Sequence, residues 1–309
     1  MTDPAKPVAP PRCIWIVSDG KPGHLNQSRG LAEAIARATP ATLHELPALP
    51  RTRAALACTL GCLSIPLPLP DLILGAGHAT HLTLLAAGRA TGAQTAVLMK
   101  PSLPRQWFDF CIVPAHDRLL ANARTFVSQG ALNRIIPNVR VAGCDAHGLI
   151  LIGGESKHFD WDSDAIAVQI KSVLAHTPNM RWTLTTSRRT PADFLSRVPQ
   201  SDALDIVLHT ATSPDWLPAQ LVTSSTVWVS PDSMSMVTEA LTAGADVGVF
   251  DLPVNPVSRV GWAIADLADA HRITRFIQWG TRGALYPNTM PLAEADRCAA
   301  WILPCLKKN

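Results

Sequence analysis

Residues 13–28 read CIWIVSDGKPGHLNQS. The first five form a short apolar run that is typical of a buried strand. Two glycines follow at positions 20 and 23, and residues 26–38 then place small and aliphatic side chains at helical spacing. A strand, a glycine-rich turn and an amphipathic helix in this order predict one βα unit of a parallel sheet.

The same alternation of strand and helix patterns continues along the chain. Further strands are predicted at residues 42–46, 71–74, 93–98 and 110–113, and then, after an irregular stretch at 135–145, at 149–152, 182–185, 205–208, 226–229 and 247–250. Helices are predicted at residues 78–90, 162–176, 191–197, 233–243, 257–270 and 293–306. This order indicates an α/β protein with two Rossmann-like, doubly wound parallel-sheet domains, at residues 13–143 and 144–285, followed by a C-terminal segment at 286–309. The proline-rich residues 1–12 are predicted to be a disordered tail.

Length and composition agree with two domains. A chain of 309 residues is longer than one hydrophobic core usually grows, and 47% of its residues are hydrophobic. The most apolar stretch, residues 60–74, contains three prolines and is shorter than the ~20 residues of a membrane-spanning helix. The N-terminus has no secretory signal pattern, and seven cysteines are an odd number without framework spacing. These features predict a cytoplasmic protein with reduced cysteines.

The net charge of +3 is too small to indicate a nucleic-acid partner. Residues 1–145 carry 14 Lys and Arg against 8 Asp and Glu, whereas the rest of the chain carries 13 against 16. A basic N-terminal half can face an anionic membrane surface or an acidic ligand, although ordinary scatter of charge explains it as well. A peripheral position at the inner face of the membrane therefore stays open.

Polar, mostly glycine-rich loops follow four of the predicted strands. Ligands bind beyond the carboxyl ends of the strands in open parallel sheets, and glycines there allow backbone N–H groups to approach an anion. A tight βα turn also needs glycine, but four such loops, two per domain, favour phosphate binding. The candidate ligand-binding residues are Gly20, Lys21, Gly23, Gly75, Gly77, His78, Gly153, Gly154, Ser156, Lys157, Ser230, Asp232, Ser233, Met234, Ser235 and Glu239.

The loop TSRRTP at residues 186–191 adds Ser187, Arg188 and Arg189 to the candidates. Guanidinium groups bind phosphate bidentately, although a solvated, charged loop is an equally good interpretation. No Walker motif is present, and GAGHAT at residues 75–80 ends in threonine where a dinucleotide fingerprint has glycine. His78 and His81 lie three residues apart, but no acidic or cysteine cluster follows them, so no metal site is predicted. No tightly bound cofactor is expected.

Four motifs carry a resemblance to a known family. SDGKPGHLNQS (18–28), IGG (152–154), TSRRTP (186–191) and SPDSMSM (230–236) resemble the elongated-mitochondria fission-protein family. That family is known in plants for an outer mitochondrial membrane protein needed for fission, and it has many bacterial members. The order of the loops is also similar to GT-B glycosyltransferases, especially the enzyme that adds N-acetylglucosamine to the lipid-linked peptidoglycan precursor.

The resemblance to GT-B enzymes implies an architecture and a reaction. It implies two domains that face a cleft, with the final helix crossing back to the first domain, and Cys298, Trp301, Ile302 and Cys305 line one face of that helix. The implied function is a glycosyltransferase-type enzyme that uses a nucleotide-diphosphate sugar, with a lipid-linked acceptor at a membrane surface. The alternative is a non-catalytic nucleotide-sugar-binding or scaffold protein. A third hypothesis is an epimerase with a bound nicotinamide cofactor.

The same resemblance suggests roles for individual residues. Glu239 is expected to accept hydrogen bonds from a ribose, while the amides of Ser233 and Met234 approach the diphosphate. His24 is the candidate general base for an inverting transfer, because histidine titrates near neutral pH. Asp19 would orient the ring or act as the base, and His78 is the alternative histidine. Glu155, a carboxylate beside Gly154, is a departure from the GT-B pattern.

Overall fold

A computed structural model of the chain describes residues 13–138 and 147–306. The predicted disordered tail at residues 1–12 lies outside the described residues. The chain forms two compact units, which we call domain 1 (residues up to Arg134, and from Ala293 onward) and domain 2 (Ile135–Leu292).

The domain limits differ from the predicted ones by seven to nine residues. Ile135 is buried in the core of domain 2, and the N–H of Asn138 bonds to the carbonyl of Thr242 in the same domain. At the other limit, Leu292 is buried in that core, and Asn288 donates its side-chain amide to the carbonyls of Leu241 and Ala245. Residues 135–138 and 286–292 therefore contribute to domain 2, because its core and helix termini contact them.

Domain 1 is built on a six-stranded parallel sheet. Its elements are β1 (Cys13–Ser18), α1 (Pro22–Ala38), β2 (Thr42–Pro47), α2 (Arg51–Leu60), β3 (Leu72–Ala76), α3 (His81–Thr91), β4 (Gln94–Leu98), β5 (Phe110–Pro114) and β6 (Thr125–Ser128). The strand order is β2-β1-β3-β4-β5-β6. β1, β3 and β4 are buried almost throughout, as strands of a parallel sheet covered on both faces are.

Domain 2 contains a second six-stranded parallel sheet. Its elements are β7 (His147–Leu151), α4 (Ser163–His176), β8 (Arg181–Thr185), β9 (Leu204–Val207), α5 (Trp216–Thr223), β10 (Thr226–Val229), α6 (Met234–Thr242), β11 (Asp246–Val249), α7 (Arg259–Asp269), β12 (Thr274–Arg275) and α8 (Phe276–Arg282). The strand order is β12-β11-β10-β7-β8-β9. Every pairing within both sheets is parallel, which confirms the predicted α/β class.

The last helix, α9 (Glu294–Ile302), belongs to domain 1 and packs against α1. Cys298 and Ile302 are fully buried there, and the ring of Trp301 contacts Phe110 and Phe126. Cys305 was expected on the same face but is exposed. The α-helix ends at Ile302 and continues as a 3₁₀ turn, which breaks the helical spacing and brings Leu306 into the core instead.

Two other predictions about elements were wrong, and five elements were missed. α1 begins at Pro22 rather than at residue 26, because proline fits the first helical position. Residues 191–197 form turns with a 3₁₀ segment at Phe194–Ser196, not an α-helix. α2, α5, α8, β6 and β12 were not predicted. Among the described residues, no helix combines the length and the hydrophobicity needed to cross a bilayer.

Candidate functional site

The order of the strands places the four polar loops in two pairs. In domain 1, β1 lies between β2 and β3, so the chain leaves β1 and β3 in opposite directions along the sheet. In domain 2, β7 and β10 are neighbours with the same property. Such switch points open a crevice at the carboxyl edge of a parallel sheet. The loops after β1 and β3 flank one crevice, and the loops after β7 and β10 flank the other.

Asp19 and His24 form a hydrogen-bonded pair at the switch point of domain 1. The Nδ1 atom of His24 lies 2.9 Å from Oδ2 of Asp19, whose side chain is only 3% exposed. The N–H of Lys21 donates to the other carboxylate oxygen over 3.2 Å. Burial raises the pKa of Asp19, but the hydrogen bonds from His24 and Lys21 outweigh it and lower the pKa. The carboxylate therefore holds the imidazole in a fixed orientation.

The second loop of the pair packs directly on this imidazole. Gly77 has φ +84°, and a Cβ at this position would overlap the His24 ring. Gly75, within β3, packs against the side chain of Thr80, which donates to the carbonyl of Gly77 over 2.8 Å. Only glycine at position 77 permits both the backbone conformation and the close approach. Gly77 lies in the loop after β3, whereas Gly75, which was predicted in the loop, lies within the strand. The close neighbours of both glycines are side chains, and their part in ligand binding stays a prediction.

The remaining candidate residues of domain 1 are more exposed to solvent. Gly20 donates its N–H to Ser18 Oγ over 3.1 Å, and Lys21 is 60% exposed with Nζ 3.8 Å from Asp19. Gly23 lies inside the first turn of α1, not in a loop, because the helix begins at Pro22. The N-terminal turn of α1 thus lies at the carboxyl edge of the sheet of domain 1.

His78 and His81 point to different environments. His78 is exposed at the start of a 3₁₀ turn, whereas His81 is buried beside Ser102 and Phe108. Burial, with a smaller contribution from the charge of His78, lowers the pKa of His81 to about 4. His81 is therefore a neutral core residue, and the two rings do not share a ligand.

Asp232 is the centre of the switch point in domain 2. Its side chain is fully buried and accepts from Ser230 Oγ (2.6 Å), the N–H of Gly154 (3.1 Å) and the Arg189 guanidinium (2.7 Å). Ser230 in turn accepts from the N–H of Gly153 over 2.7 Å. Three loops that are far apart in sequence are joined by this one carboxylate.

These contacts change the expected roles of several candidates. The amides of Gly153 and Gly154 were expected to approach an anion, but they are bonded to Ser230 and Asp232. A Cβ on Gly153 would overlap the Asp232 carboxylate, and one on Gly154 would overlap the carbonyl of Arg189. Both glycines are explained by close packing of the loops, which the sequence could not distinguish from phosphate binding.

In the loop after β8, some side chains bond to the neighbouring loops and others are exposed to solvent. Arg189 pairs with Asp232 and donates to the carbonyl of Glu155 over 3.1 Å, while Ser187 donates to the carbonyl of Gly153 over 2.6 Å. Arg188 is exposed and forms no ion pair with any residue in the described ranges. Thr190, which was not a candidate, also donates to the carbonyl of Gly153. Arg188 is thus the arginine of this loop that is available to a ligand.

The first turn of α6 lies at this edge and presents the N-terminus of a helix. Ser233 is the N-cap, Met234 and Ser235 follow it, and all three are partly exposed. The first amides of an α-helix have no partner within the helix, so they suit an anion. Glu239 lies on the same helix and is also partly exposed. Ser156 accepts from the N–H of His158, and Lys157 is exposed nearby.

Comparisons with known proteins agree with this architecture. The family model described as Mitochondrial fission ELM1 matches residues 22–306. No curated protein matches the chain in sequence. The two-domain α/β fold is the GT-B fold, which is shared with solved structures at low sequence identity.

Three of these structures are informative about the fold. A Listeria monocytogenes protein, provisionally assigned as a UDP-N-acetylglucosamine 2-epimerase, is 11% identical, with a TM-score of 0.60 and 94% of each chain covered. The UDP-GlcNAc 2-epimerase of Neisseria meningitidis, solved with UDP-GlcNAc, is 11% identical, with a TM-score of 0.52 over 94% of this chain and 99% of that one. MurG from Acinetobacter baumannii is 13% identical, with a TM-score of 0.50 over 96% and 99%.

Proposed function

The chain is a member of the mitochondrial fission ELM1 family, and on that premise we propose that it binds a nucleotide-diphosphate sugar and transfers the sugar to an acceptor hydroxyl. The observation that carries the proposal is the pairing of the four polar loops at the switch points of two parallel sheets, since α/β sheets bind ligands there. Structures with the same fold include MurG and an epimerase solved with UDP-GlcNAc, which favours the same class of ligand by analogy.

The donor would bind to domain 2. The amides of Met234 and Ser235, capped by Ser233, would hold the diphosphate at the N-terminus of α6, where the helix dipole is favourable to negative charge. Glu239 lies one to two turns further along this helix, and its carboxylate can accept from two adjacent ribose hydroxyls. The exposed guanidinium of Arg188 would add a bidentate phosphate contact.

The general base would come from domain 1. Because His24 donates its Nδ1 proton to Asp19, the lone pair of Nε2 is the one left to accept a proton. The imidazole is 20% exposed, and the proposal requires that Nε2 belong to its exposed part. Asp19 would orient the ring and stabilise the positive charge that forms on it.

In the proposed step, the acceptor oxygen forms a bond to the anomeric carbon while its proton passes to Nε2 of His24. The bond from that carbon to the diphosphate oxygen breaks, and the nucleoside diphosphate leaves with the bonding electron pair. The developing charge on the leaving oxygen would be stabilised by the amides at the start of α6. Attack and departure on opposite faces invert the configuration of the sugar.

We further propose that the acceptor is lipid-linked and lies at an anionic membrane surface. The outer face of α2 supports this part of the proposal: Leu56 and Leu60 are 59% and 65% exposed one turn apart, and Arg51 and Arg53 are exposed beside them. Flotation with phosphatidylglycerol-containing vesicles should recover the protein, and phosphatidylcholine vesicles should not. The double variant Leu56→Glu/Leu60→Glu should lose flotation, whereas Val168→Glu on α4 should retain it.

A thermal-shift screen of nucleotide sugars is the first test of the proposed function. A ligand that binds only the folded state raises the melting temperature, and the matching variant Glu239→Ala should reduce that increase. If no nucleotide or nucleotide sugar binds, the proposal is wrong.

The family's description as a fission protein favours a second candidate, a non-catalytic nucleotide-sugar-binding or scaffold protein. Tight binding without hydrolysis, transfer or epimerisation of any donor would support it. Conversion of a bound donor into its C2 epimer would instead indicate an epimerase, a reaction found among proteins of this fold.

A further inference from the structure

A cavity of about 440 Å³ lies in domain 1, at the amino ends of β4 and β5. Its lining residues come from α2, from α3 and the turn after it, from the start of β4 and from the segment before β5. The volume is in the range of small-molecule sites, about 300–1,000 Å³. Because β4 has five residues at ~3.3 Å each, the cavity is roughly 16 Å from the carboxyl edge that carries Asp19 and His24. A molecule bound in it would therefore be separate from the reacting groups of the proposed transfer.

The cavity has an apolar wall. Leu82 and Leu85 of α3 line it and are only partly buried, whereas Leu84 between them is fully buried in the core. Trp107 lines the same cavity and is 53% exposed. A single exposed apolar side chain is ordinary on a protein surface, but three that line one cavity offer a continuous surface to an apolar ligand.

Arg89 supplies a positive charge to this cavity. Its Nη1 atom donates to the carbonyl of Cys58 over 2.8 Å, near the C-terminus of α2, where carbonyls lack partners within the helix. Both residues line the cavity, so this bond joins α2 to α3 beside it. Within residues 13–138 and 147–306, Arg89 forms no ion pair. A guanidinium has five N–H donors, and the one bond to Cys58 leaves donors for an anion.

The carboxylate of the lining, Asp109, is already bonded within the domain. Its Oδ2 atom accepts from the N–H of Thr95 over 2.9 Å and from the hydroxyl of Thr95 over 3.1 Å. Its Oδ1 atom lies 3.9 Å from Nη2 of Arg124. The charge of the cavity that lacks an opposite partner is therefore the positive charge of Arg89. With Asp109 in the same lining, a singly charged anion is favoured over a phosphate dianion.

We propose that this cavity binds an amphipathic carboxylate, namely a medium-chain fatty acid. Its chain would lie against Leu82, Leu85 and Trp107, and its carboxylate would accept two hydrogen bonds from the guanidinium of Arg89. Burial of the chain supplies most of the binding free energy, because the apolar surface leaves water. The site does not depend on the proposed function, since its lining lies on the opposite edge of the sheet from the switch point of domain 1.

Calorimetric titration with octanoate, octanol and octylammonium tests the charge preference. Octanoate should bind at least about tenfold more tightly than octanol, since a hydrogen bond to a charged group is worth roughly that factor, and octylammonium should bind most weakly. Arg89→Gln should remove the preference and leave octanol binding unchanged. Arg181→Gln is the matched control, because Arg181 is also exposed and donates to one carbonyl, that of Asp202. Absence of octanoate binding, or equal affinities for octanoate and octanol in the wild type, would overturn the proposal.

A second experiment separates the cavity from the outer face of α2. The double variant Leu56→Glu/Leu60→Glu should bind octanoate with wild-type affinity, whereas Leu85→Trp should fill the cavity and abolish binding. In the wild type, octanoate at ten times its dissociation constant should slow alkylation of Cys58 by iodoacetamide about tenfold, because only the unoccupied site reacts. The exposed Cys305 should keep its rate, with both followed by mass spectrometry of peptides. An unprotected Cys58, or loss of binding in the double variant, would overturn the proposal.

Discussion

Domain 1 and domain 2 each bring a loop pair to the switch point of a parallel sheet, but the carboxylates at the two positions are used differently. Asp19 and Asp232 are both buried. Asp232 accepts from Ser230, Gly154 and Arg189, all of which belong to the loops themselves. Asp19 accepts from Lys21 and from a histidine whose second ring nitrogen remains for another partner.

The difference shows that one sequence pattern supports two physical roles. A glycine beside a buried carboxylate in domain 2 allows three loops to pack and fixes the shape of the edge. A glycine beside a histidine in domain 1 allows the imidazole ring to pack against the backbone while its Nδ1 atom contacts Asp19. We therefore expect substitutions at Gly153 and Asp232 to act mainly on stability, and a substitution of His24 to act mainly on the proposed activity.

The largest stability effect is expected for Gly153→Ala. The added methyl group would overlap the Asp232 carboxylate, which its three partners hold in place. We expect the free energy of unfolding to fall by about 3 kcal/mol, the upper part of the usual range for overpacking. Urea denaturation followed by tryptophan fluorescence measures it. Gly280→Ala in α8, where a Cβ meets no atom within 4 Å, is the control and should be neutral or slightly stabilising. Equal effects of the two changes would contradict the packing role of Gly153.

A smaller loss of stability is expected for Asp232→Asn. The variant keeps the shape of the side chain but removes the charge that faces Arg189, and one amide group replaces an acceptor oxygen. Because Arg189 is partly solvated and can turn towards water, we expect a loss of about 2 kcal/mol rather than the larger cost of a fully buried unpaired charge. The same denaturation experiment applies. A stability equal to that of the wild type would mean that Asp232 does not hold the loops together.

The smallest effect on stability is expected for Asp19→Asn, and it should depend on pH. The pKa of Asp19 is lowered in the folded protein, so its carboxylate contributes stability above the unfolded pKa of about 4 and loses it as the pH falls through the folded pKa. At pH 7 the variant should lose less than about 1 kcal/mol, since asparagine can still accept from Lys21. The gap between variant and wild type should close on acidification. A gap that widens at low pH would reverse the assigned sign.

Much of this arrangement can be predicted from the sequence, because strands and glycine turns are local. The apolar runs identified ten of the twelve strands in the described ranges 13–138 and 147–306, and hence the parallel α/β class. The short β6 and β12 were not predicted, since four and two residues give little periodicity. The proline at position 22 is typical of the first turn of a helix. Because α1 begins there, Gly23 and His24 lie in the helix and not in the predicted loop.

Contacts between distant loops could not be predicted. Gly153 and Asp232 are far apart in the chain, and no local pattern indicates that the carboxylate of one loop occupies the space left by the missing side chain of the other. The same holds for His158 and Ser258, although a serine ahead of an amphipathic segment does indicate an N-cap. Residues that bind a ligand and residues that bind each other have the same polar chemistry, so only the distances separate them.

The central proposal is that His24 is the general base of a sugar transfer. The most direct test is His24→Ala, measured for sugar transfer and for donor affinity once a donor and an acceptor are identified. A general base is worth ~10²–10⁴ in rate, so turnover should fall at least about a hundredfold. The dissociation constant of the donor should change by less than about twofold, because no donor contact is assigned to His24. A loss of turnover of only a few-fold, or an equal loss in donor affinity, would contradict the account.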